Sequence, residues 1–422
     1  MHNRQQRRPI SGGRLGEGTV SRPARATDAA AATTRSPGGM LALATIGFLV
    51  NFWAWNLIAP LGNSYGSELE LSAFEVSAVV AVPVIVGSLG RIPIGALTDR
   101  FGARVMFPAV SLITIIPTLF VGFVANSFVL LVIGGFFLGV GGTAFAVGVP
   151  FVNAWYPPAR RGLALGIFGM GTAGTAVAAF TTVAIVDAFG RPAPFVLVSV
   201  ILAFYAVVAW IALRDSPQRP PAATGSMLKR TWETLKLPVT LQLSLIYAMG
   251  FGGFVAFSVY LPTYLINDFG LTRGDASFRT AGFIVLAVVA RPIGGWLSDR
   301  FHPVPVLAWC FVVAGAMAVL ASLRLELLPA GTVAFLAMAA TLGAASGACF
   351  ALVARVAPAG TVGSVTGIVG AAGGLGGFFP PLVMGAVYGA TGAYTIGFIL
   401  LALSALGVAA FTWWPVRRAS DY

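Results

Sequence analysis

Hydrophobic residues occur along the chain in twelve long runs that are separated by short polar breaks. A helix that crosses a bilayer needs about 20 mostly apolar residues, and each run is long enough to supply them. The pattern predicts an all-α polytopic membrane protein with twelve transmembrane helices. The predicted spans are 40–61, 76–98, 104–124, 127–153, 161–186, 193–213, 239–266, 278–298, 304–323, 330–354, 362–388 and 393–414.

Polar segments divide the chain into five parts. Residues 1–39 contain no apolar run that could form the core of a signal peptide, and we expect a disordered basic cytoplasmic tail. Residues 215–238 carry several prolines and basic residues and are predicted to form a cytoplasmic linker. The linker separates two halves of six helices each, 40–214 and 239–415, and residues 416–422 form a second cytoplasmic tail.

Composition excludes a water-soluble fold. The chain is 57% hydrophobic and 9% charged, whereas soluble domains carry about 25% charged residues. Few polar side chains enter the spans, and they form no catalytic triad, Cys/His pair or metal-ligand set, so an enzyme is not expected. Two cysteines in apolar runs indicate neither a disulfide framework nor a metal site, and no cofactor is predicted.

The formal net charge of +12 reflects basic residues in alternate loops rather than a single patch, so a nucleic-acid partner is not expected. Cytoplasmic loops carry an excess of Lys and Arg, which predicts a plasma (inner) membrane protein with both termini in the cytoplasm. The basic residues outside the tail and linker that support this orientation are Arg100, Arg104, Arg160, Arg161, Arg300, Arg355, Arg417 and Arg418.

The two halves contain the same motif. Residues Arg91–Phe101 in the second span and Arg291–Phe301 in the eighth share Arg, Gly, Leu, Asp, Arg and Phe in one register. A second pair matches Gly166-Ile167-Phe168-Gly169 in the fifth span with Gly367-Ile368-Val369-Gly370 in the eleventh. Duplicated halves are typical of secondary transporters, and they predict a pseudo-symmetric pair of bundles.

Arg91 and Arg291 lie inside the predicted spans, each eight residues before an aspartate at a cytoplasmic helix end. At about 1.5 Å per residue, both lie about 12 Å into the membrane, near its midplane. Such a charge costs about 2.5–3.5 kcal/mol, and no span offers a carboxylate or histidine to neutralise it. One explanation is that each arginine bonds to backbone carbonyls or extends toward water. Two uncompensated guanidinium groups at one depth favour another, a site for a planar anion such as nitrate, nitrite, formate or a small carboxylate.

Glycine is concentrated in the fifth and eleventh spans, where it lets helix backbones approach closely. A small ligand could also contact the backbone there, and Gly171 and Gly373 are the candidates for this contact.

The element Gly95-x-Leu97-x-Asp99-Arg100-Phe101-Gly102-x-Arg104 resembles the loop signature of the major facilitator superfamily, and the resemblance extends over 40–415. Asp99 and Asp299 lie at cytoplasmic helix ends, where they are expected to accept hydrogen bonds from helix N-termini and arginines. Together with Arg100, Arg104 and Arg300, they are predicted to form the cytoplasmic gate.

Three glycine-rich stretches are similar to those of the nitrate/nitrite porter family within this superfamily: Gly141–Ala146, Gly162–Gly174 and Gly367–Gly377. The resemblance implies that Arg91 and Arg291 clamp the anion and that aromatic rings sandwich it. The matching aromatic residues are Tyr247, Phe251 and Phe145, and Thr172 is a further candidate contact. The family usually has Asn at the position of Thr172, and often at that of Ala144.

The resemblance further implies a secondary transporter of a small oxyanion, nitrate and/or nitrite. We expect a monomer that works by alternating access. An empty cavity with two like charges would resist reorientation, so exchange of nitrate for nitrite is preferred to proton symport. The alternatives are a transporter of formate, oxalate or cyanate, a drug exporter and, more remotely, a membrane anion sensor.

Overall fold

The computed structural model describes residues 36–219, 226–358 and 360–416, and within them it contains helices but no strands. Twelve helices in these residues are long and apolar enough to cross a membrane, which agrees with the prediction to within about one helical turn. We number them in chain order: α1 Pro37–Leu61, α2 Ala78–Phe101, α3 Ala103–Phe123, α4 Phe128–Trp155, α5 Pro158–Phe189, α6 Ala193–Ala212, α7 Pro238–Phe269, α8 Gly274–Phe301, α9 Pro303–Ser322, α10 Leu327–Val356, α11 Val362–Thr391 and α12 Thr395–Trp414.

Both predicted tails fall largely or wholly outside the described residues, as do residues 220–225 of the linker. The described part of the linker includes a short amphipathic helix, Met227–Leu235, which we call the linker helix. It packs against both α2 and α11, so it contacts one helix from each half.

Several spans are interrupted near their centres. The helical segment Ala73–Leu89, whose first residues precede α2, meets the segment Arg91–Phe101 at Gly90. Short 3₁₀ turns interrupt α4 at Gly139–Thr143 and α5 at Met170–Thr172. Such changes in helical hydrogen bonding leave backbone oxygens at the helix junctions for other donors. The interruptions therefore leave additional backbone oxygens deep in the membrane that can accept hydrogen bonds from side chains.

The two halves pack against each other through α2 with α11 and α5 with α8. Glycines allow this approach: a Cβ added to Gly363 would lie 2.5 Å from the backbone oxygen of Gly95, and one added to Gly166 would lie 2.6 Å from that of Arg291. Only hydrogen fits in such gaps, so the glycine-rich spans bring the halves into backbone contact.

Asp99 and Asp299 join the two halves at one end of the molecule. The Asp99 carboxylate accepts hydrogen bonds from the backbone N–H groups of Gly363 and Ser364, both at 2.9 Å, and from the Ser364 hydroxyl at 2.8 Å. The Asp299 carboxylate accepts from the N–H groups of Gly162 and Leu163, both at 2.8 Å. The expected bonds to helix N-termini are therefore present. We call these contacts the Asp99 latch and the Asp299 latch.

The linker supports the Asp99 latch. Asp215 accepts a hydrogen bond from the Ala103 N–H at 2.9 Å, at the start of α3, and Arg219 donates to the backbone oxygen of Asp99 at 2.8 Å. The predicted gate residues Arg100 and Arg300 lie beside aromatic rings of their own helices, with Cζ 5.3 Å from the Phe101 centroid and 5.5 Å from the Phe301 centroid respectively. Arg104 lies beside the Trp210 ring at 6.0 Å.

Candidate anion-binding site

Arg91 is the first residue after the break in α2 at Gly90. It is 0% exposed. Its Nε donates to the backbone oxygen of Gly142 on α4 at 3.1 Å, and its Nη1 donates to that of Gly370 on α11 at 2.7 Å. The two carbonyls orient the guanidinium group but leave its charge in place, because neither carries a formal charge.

Arg291 on α8 is 2% exposed, and its Nη1 donates to the backbone oxygen of Gly169 on α5 at 3.3 Å. Each arginine is therefore bonded to a glycine carbonyl of the opposite half. Gly169 and Gly370 end the two matching Gly-x-x-Gly elements of the repeat, so the duplication in the sequence recurs as a pair of equivalent hydrogen bonds.

Both arginines keep donors that no group of the described residues occupies. Arg91 Nη2, Arg291 Nε and Arg291 Nη2 are buried without a hydrogen-bond partner, and none of the ion pairs among those residues involves either arginine. An unsatisfied buried donor costs about 1–3 kcal/mol, and more when it is charged. Bonding to backbone carbonyls thus accounts for only some of the N–H groups, and three nitrogen atoms remain available for a ligand.

One aromatic ring contacts both charges. The Phe251 centroid lies 5.7 Å from Arg91 Cζ and 5.2 Å from Arg291 Cζ. Tyr247 stacks on Phe251 at 5.0 Å with an interplanar angle of 2°, and Phe145 is parallel to Tyr247 within 6° at 6.2 Å. The three predicted aromatic residues therefore lie together beside the two arginines. Cation–π attraction in a desolvated setting is worth about 2 kcal/mol or more, so the rings stabilise the buried charges.

Four further rings at the site did not emerge from the sequence. Phe52 and Trp55 of α1 lie 5.8 and 5.9 Å from Arg91 Cζ, and Phe254 lies 5.4 Å from Arg291 Cζ. Phe350 of α10 packs edge-on against Phe145 and Tyr247, at 4.7 Å from each. Helical spacing could have identified three of them. Trp55 follows Phe52 by three positions and Phe254 follows Phe251 by three, so each pair lies on one face of its helix.

The predicted glycines lie in different surroundings. Gly373 packs against the rings of Tyr247 and Phe251, and a Cβ there would lie 3.2 Å from Phe251 Cδ1. Gly171 instead packs against Phe48 on α1, where a Cβ would lie 2.7 Å from Cγ. The glycine of α5 beside Arg291 is Gly169, whose added Cβ would lie 3.3 Å from Arg291 Cδ. Contact between Gly171 and a ligand stays a prediction.

Thr172 is buried, and its hydroxyl donates to the backbone oxygen of Gly169 at 2.9 Å. This hydrogen bond lies within α5, and contact between Thr172 and an anion stays a prediction. The same Gly169 oxygen accepts from Arg291. Thr172 and Arg291 therefore donate to the same carbonyl oxygen.

Twelve membrane-spanning helices in two related halves, with a buried polar site where the halves meet, define a secondary transporter. A sequence model of the Major Facilitator Superfamily matches residues 44–274 and 243–421. The chain is 51% identical over 383 residues to "Probable nitrate/nitrite transporter NarK2" of Mycobacterium tuberculosis (strain ATCC 25618 / H37Rv), a match that covers 90% of this chain and 96% of that protein. The chain belongs to the major facilitator superfamily and, within it, to the nitrate/nitrite porter family.

Two other relatives agree with this assignment. The "Nitrite extrusion protein" of Bacillus subtilis (strain 168) is 38% identical over 374 residues, covering 88% of this chain and 92% of that protein. "Probable nitrate transporter NarT" of Staphylococcus haemolyticus (strain JCSC1435) is 38% identical over 376 residues, covering 89% and 95%. As a member of a family of transporters, the protein is not an enzyme, as predicted.

Solved structures confirm the fold. FucP, a transporter of the same superfamily in the outward conformation, matches with a TM-score of 0.73 at 19% identity, covering 92% of this chain and 100% of that one. The proton:xylose symporter XylE matches with a TM-score of 0.73 at 16% identity, covering 90% and 96%. At these identities the likeness concerns the fold alone.

Proposed function

We propose that the protein carries nitrate and nitrite across the membrane by alternating access, with Arg91 and Arg291 clamping the anion. The observation that supports this is the set of three unpartnered nitrogens, Arg91 Nη2, Arg291 Nε and Arg291 Nη2. Nε and Nη2 of one guanidinium group form a fork that suits two oxygens of a planar oxyanion. Arg91 Nη2 is a third unpartnered nitrogen, so these nitrogen atoms equal the oxygens of nitrate in number. The names of the relatives favour the same substrates.

The surroundings favour a flat, weakly hydrated anion. The rings of Phe145, Tyr247 and Phe251 are nearly parallel, and a planar ion fits against such faces with its oxygens directed to the arginines. Both guanidinium groups are almost completely removed from solvent, so charge attraction at the site is much stronger than in water. In this proposal Gly171, Gly373 and Thr172 shape the site around the ion.

The same charges favour exchange over movement of an empty carrier. Two like charges share one aromatic ring in a buried site, and a bound anion reduces their repulsion. The empty carrier therefore reorients slowly, and nitrate enters as nitrite leaves. The two halves, 40–214 and 239–415, rock about the site, while Asp99, Asp299 and the nearby Arg100, Arg104 and Arg300 close one side of it.

We assign the latched end to the cytoplasm, because the loops there are rich in arginine. Both termini then lie in the cytoplasm, and the protein functions as a monomer in the plasma (inner) membrane. The basic tail, residues 1–39, has no part in transport in this proposal, and a variant that lacks it is expected to retain uptake. Retained uptake would also leave the sensor alternative, which depends on the tail to report anion binding, without support.

The test is uptake of labelled nitrate by proteoliposomes that are either loaded with nitrite or empty, at a fixed membrane potential. Faster uptake into loaded vesicles is expected, and equal uptake in both would rule out obligatory exchange. Competition by formate, oxalate, cyanate and a lipophilic drug then defines the substrate. A drug exporter would be indifferent to Arg91→Ala, whereas an oxyanion carrier would lose transport in this variant.

A further inference from the structure

A second polar cavity lies between the two halves at the latched end of the molecule. It has a volume of about 320 Å³ and is lined by the ends of α2, α4 and α10, the starts of α3, α5 and α11, and the first residues of the linker. Asp99 lines it, whereas Arg91 lies eight residues earlier on α2, about 12 Å away along the helix. The cavity is therefore separate from the arginine pair, and we call it the inner vestibule.

Three arginines line the inner vestibule: Arg161, Arg219 and Arg355. Arg161 Nε donates to the backbone oxygen of Tyr156 at 3.0 Å, and Arg355 Nη2 donates to that of Ser298 at 3.3 Å. These bonds fix the position of each guanidinium group without cancelling its charge. A guanidinium group has five N–H donors, so both side chains retain donors for a ligand in the vestibule.

The two carboxylates that line the vestibule are engaged elsewhere. Asp99 accepts three hydrogen bonds from the N-terminus of α11. Asp215 accepts from the N-terminus of α3 and pairs with Arg219 at 3.6 Å. A helix N-terminus carries about half a positive charge, which partly neutralises each carboxylate. The vestibule is therefore positive overall, and a small anion with part of its hydration shell fits in its volume.

We propose that the inner vestibule is a second anion site, which receives the transported oxyanion on the latched side and loosens the Asp99 latch when it is occupied. The proposal rests on the transport function proposed above. An anion in the vestibule repels the Asp99 carboxylate and competes with it for the N–H groups of Gly363 and Ser364. An anion bound in the inner vestibule therefore favours opening of the latched side. Exchange requires this opening when an anion is to enter from that side.

The experiment measures transport from each side separately, in right-side-out and inside-out membrane vesicles, with nitrate as the probe. Arg161→Gln and Arg355→Gln are compared with Arg160→Gln, which removes a charge from an exposed neighbour outside the vestibule. We expect KM for nitrate on the latched side to rise about two- to fivefold in the first two variants, the size typical of a partly exposed charge. KM on the other side is unchanged, and Arg160→Gln behaves like the wild type.

Two further measurements separate charge from folding. Arg161→Lys is expected to restore KM on the latched side, because the vestibule attracts the anion by its charge. In the wild type, inert salt above about 0.15 M is expected to raise this KM towards that of the variants. An unchanged KM on the latched side in both Gln variants, or an equal rise on both sides, would contradict the proposal that the inner vestibule is an anion site. Absence of nitrate transport by the wild type would instead overturn the proposed function itself.

Discussion

Arg91 Nη1 donates a hydrogen bond of 2.7 Å to the backbone oxygen of Gly370, and this bond joins α2 of one half to α11 of the other. Arg291 makes the equivalent bond to Gly169, at 3.3 Å. Each charged side chain is thus fixed by the opposite half. Rocking of the halves must break or remake these bonds. The positions of the two guanidinium groups proposed to bind the anion therefore depend on how the two halves are arranged.

Replacement of either arginine by lysine tests the clamp. Arg91→Lys and Arg291→Lys keep the charge but lose the planar fork. A hydrogen bond to a charged group is worth about 1.5–3 kcal/mol, so the loss of one corresponds to a roughly 10- to 150-fold weaker nitrate affinity. Equilibrium binding of labelled nitrate to the detergent-purified protein is the measurement, and Arg160→Lys is the control. Wild-type affinity in both variants would remove the clamp from the proposal.

The two arginines are not expected to contribute equally. Arg291 leaves both Nε and Nη2 unpartnered among the described residues, whereas Arg91 leaves only Nη2. The affinity loss in Arg291→Lys should exceed that in Arg91→Lys by about tenfold, which corresponds to one additional hydrogen bond to a charged group. The same binding assay compares the two. A larger loss in Arg91→Lys would mean that the fork on Arg91 holds the ion.

The spans and the arginine pair were predictable for physical reasons. Twelve apolar runs define twelve helices because the bilayer excludes every other arrangement of a single apolar segment. The arginines stand out because a charge in an apolar run is costly. The aromatic residues beside them are harder to identify from composition, since aromatic residues also lie on the outer surface, where Phe204 is 70% exposed and Trp210 is 55% exposed.

The glycine content of the amino-acid sequence also did not show which glycine of α5 lies beside Arg291. Gly169 and Gly171 both lie in the glycine-rich stretch of α5, and either could have faced the cavity. The 3₁₀ turn at Met170–Thr172 alters the helical rotation just after Gly169. As a result Gly169 lies beside Arg291, while Gly171 packs on Phe48. The internal repeat identifies Gly169 as the glycine beside Arg291, because Gly169 matches Gly370, whereas glycine content alone does not distinguish it from Gly171.

Gly373→Ala tests the aromatic stack. An added Cβ would overlap the Tyr247 ring and lie 3.2 Å from Phe251 Cδ1, so both rings must shift. Overpacking of this kind costs about 1–3 kcal/mol, and we expect KM for nitrate to rise about tenfold or more. Gly389→Ala on the same helix is the control, because nothing lies within 4 Å of its added Cβ. Equal KM values in the two variants would show that the stack is not part of the site.

Asp99→Asn and Asp299→Asn test the latches. An amide keeps the size of the side chain but removes the charge, so its bonds to helix N-termini weaken. Asp99 accepts three such bonds and Asp299 two. We therefore expect the latched side to open more often in both variants, and more so in Asp99→Asn. Thiol labelling at Ala354→Cys, a buried position that lines the inner vestibule, measures this opening.

The assay uses a background in which the two buried native cysteines, Cys310 and Cys349, are replaced by alanine. The labelling rate should rise about tenfold in Asp99→Asn, equivalent to about 1.4 kcal/mol, and by a smaller factor in Asp299→Asn. Asp187→Asn, at the far end of α5 from the Asp299 latch, serves as the control and should label at the background rate. If labelling at Ala354→Cys is as slow in Asp99→Asn as in the control, the carboxylate does not hold this side closed, because neutralising it leaves the equilibrium between open and closed forms unchanged.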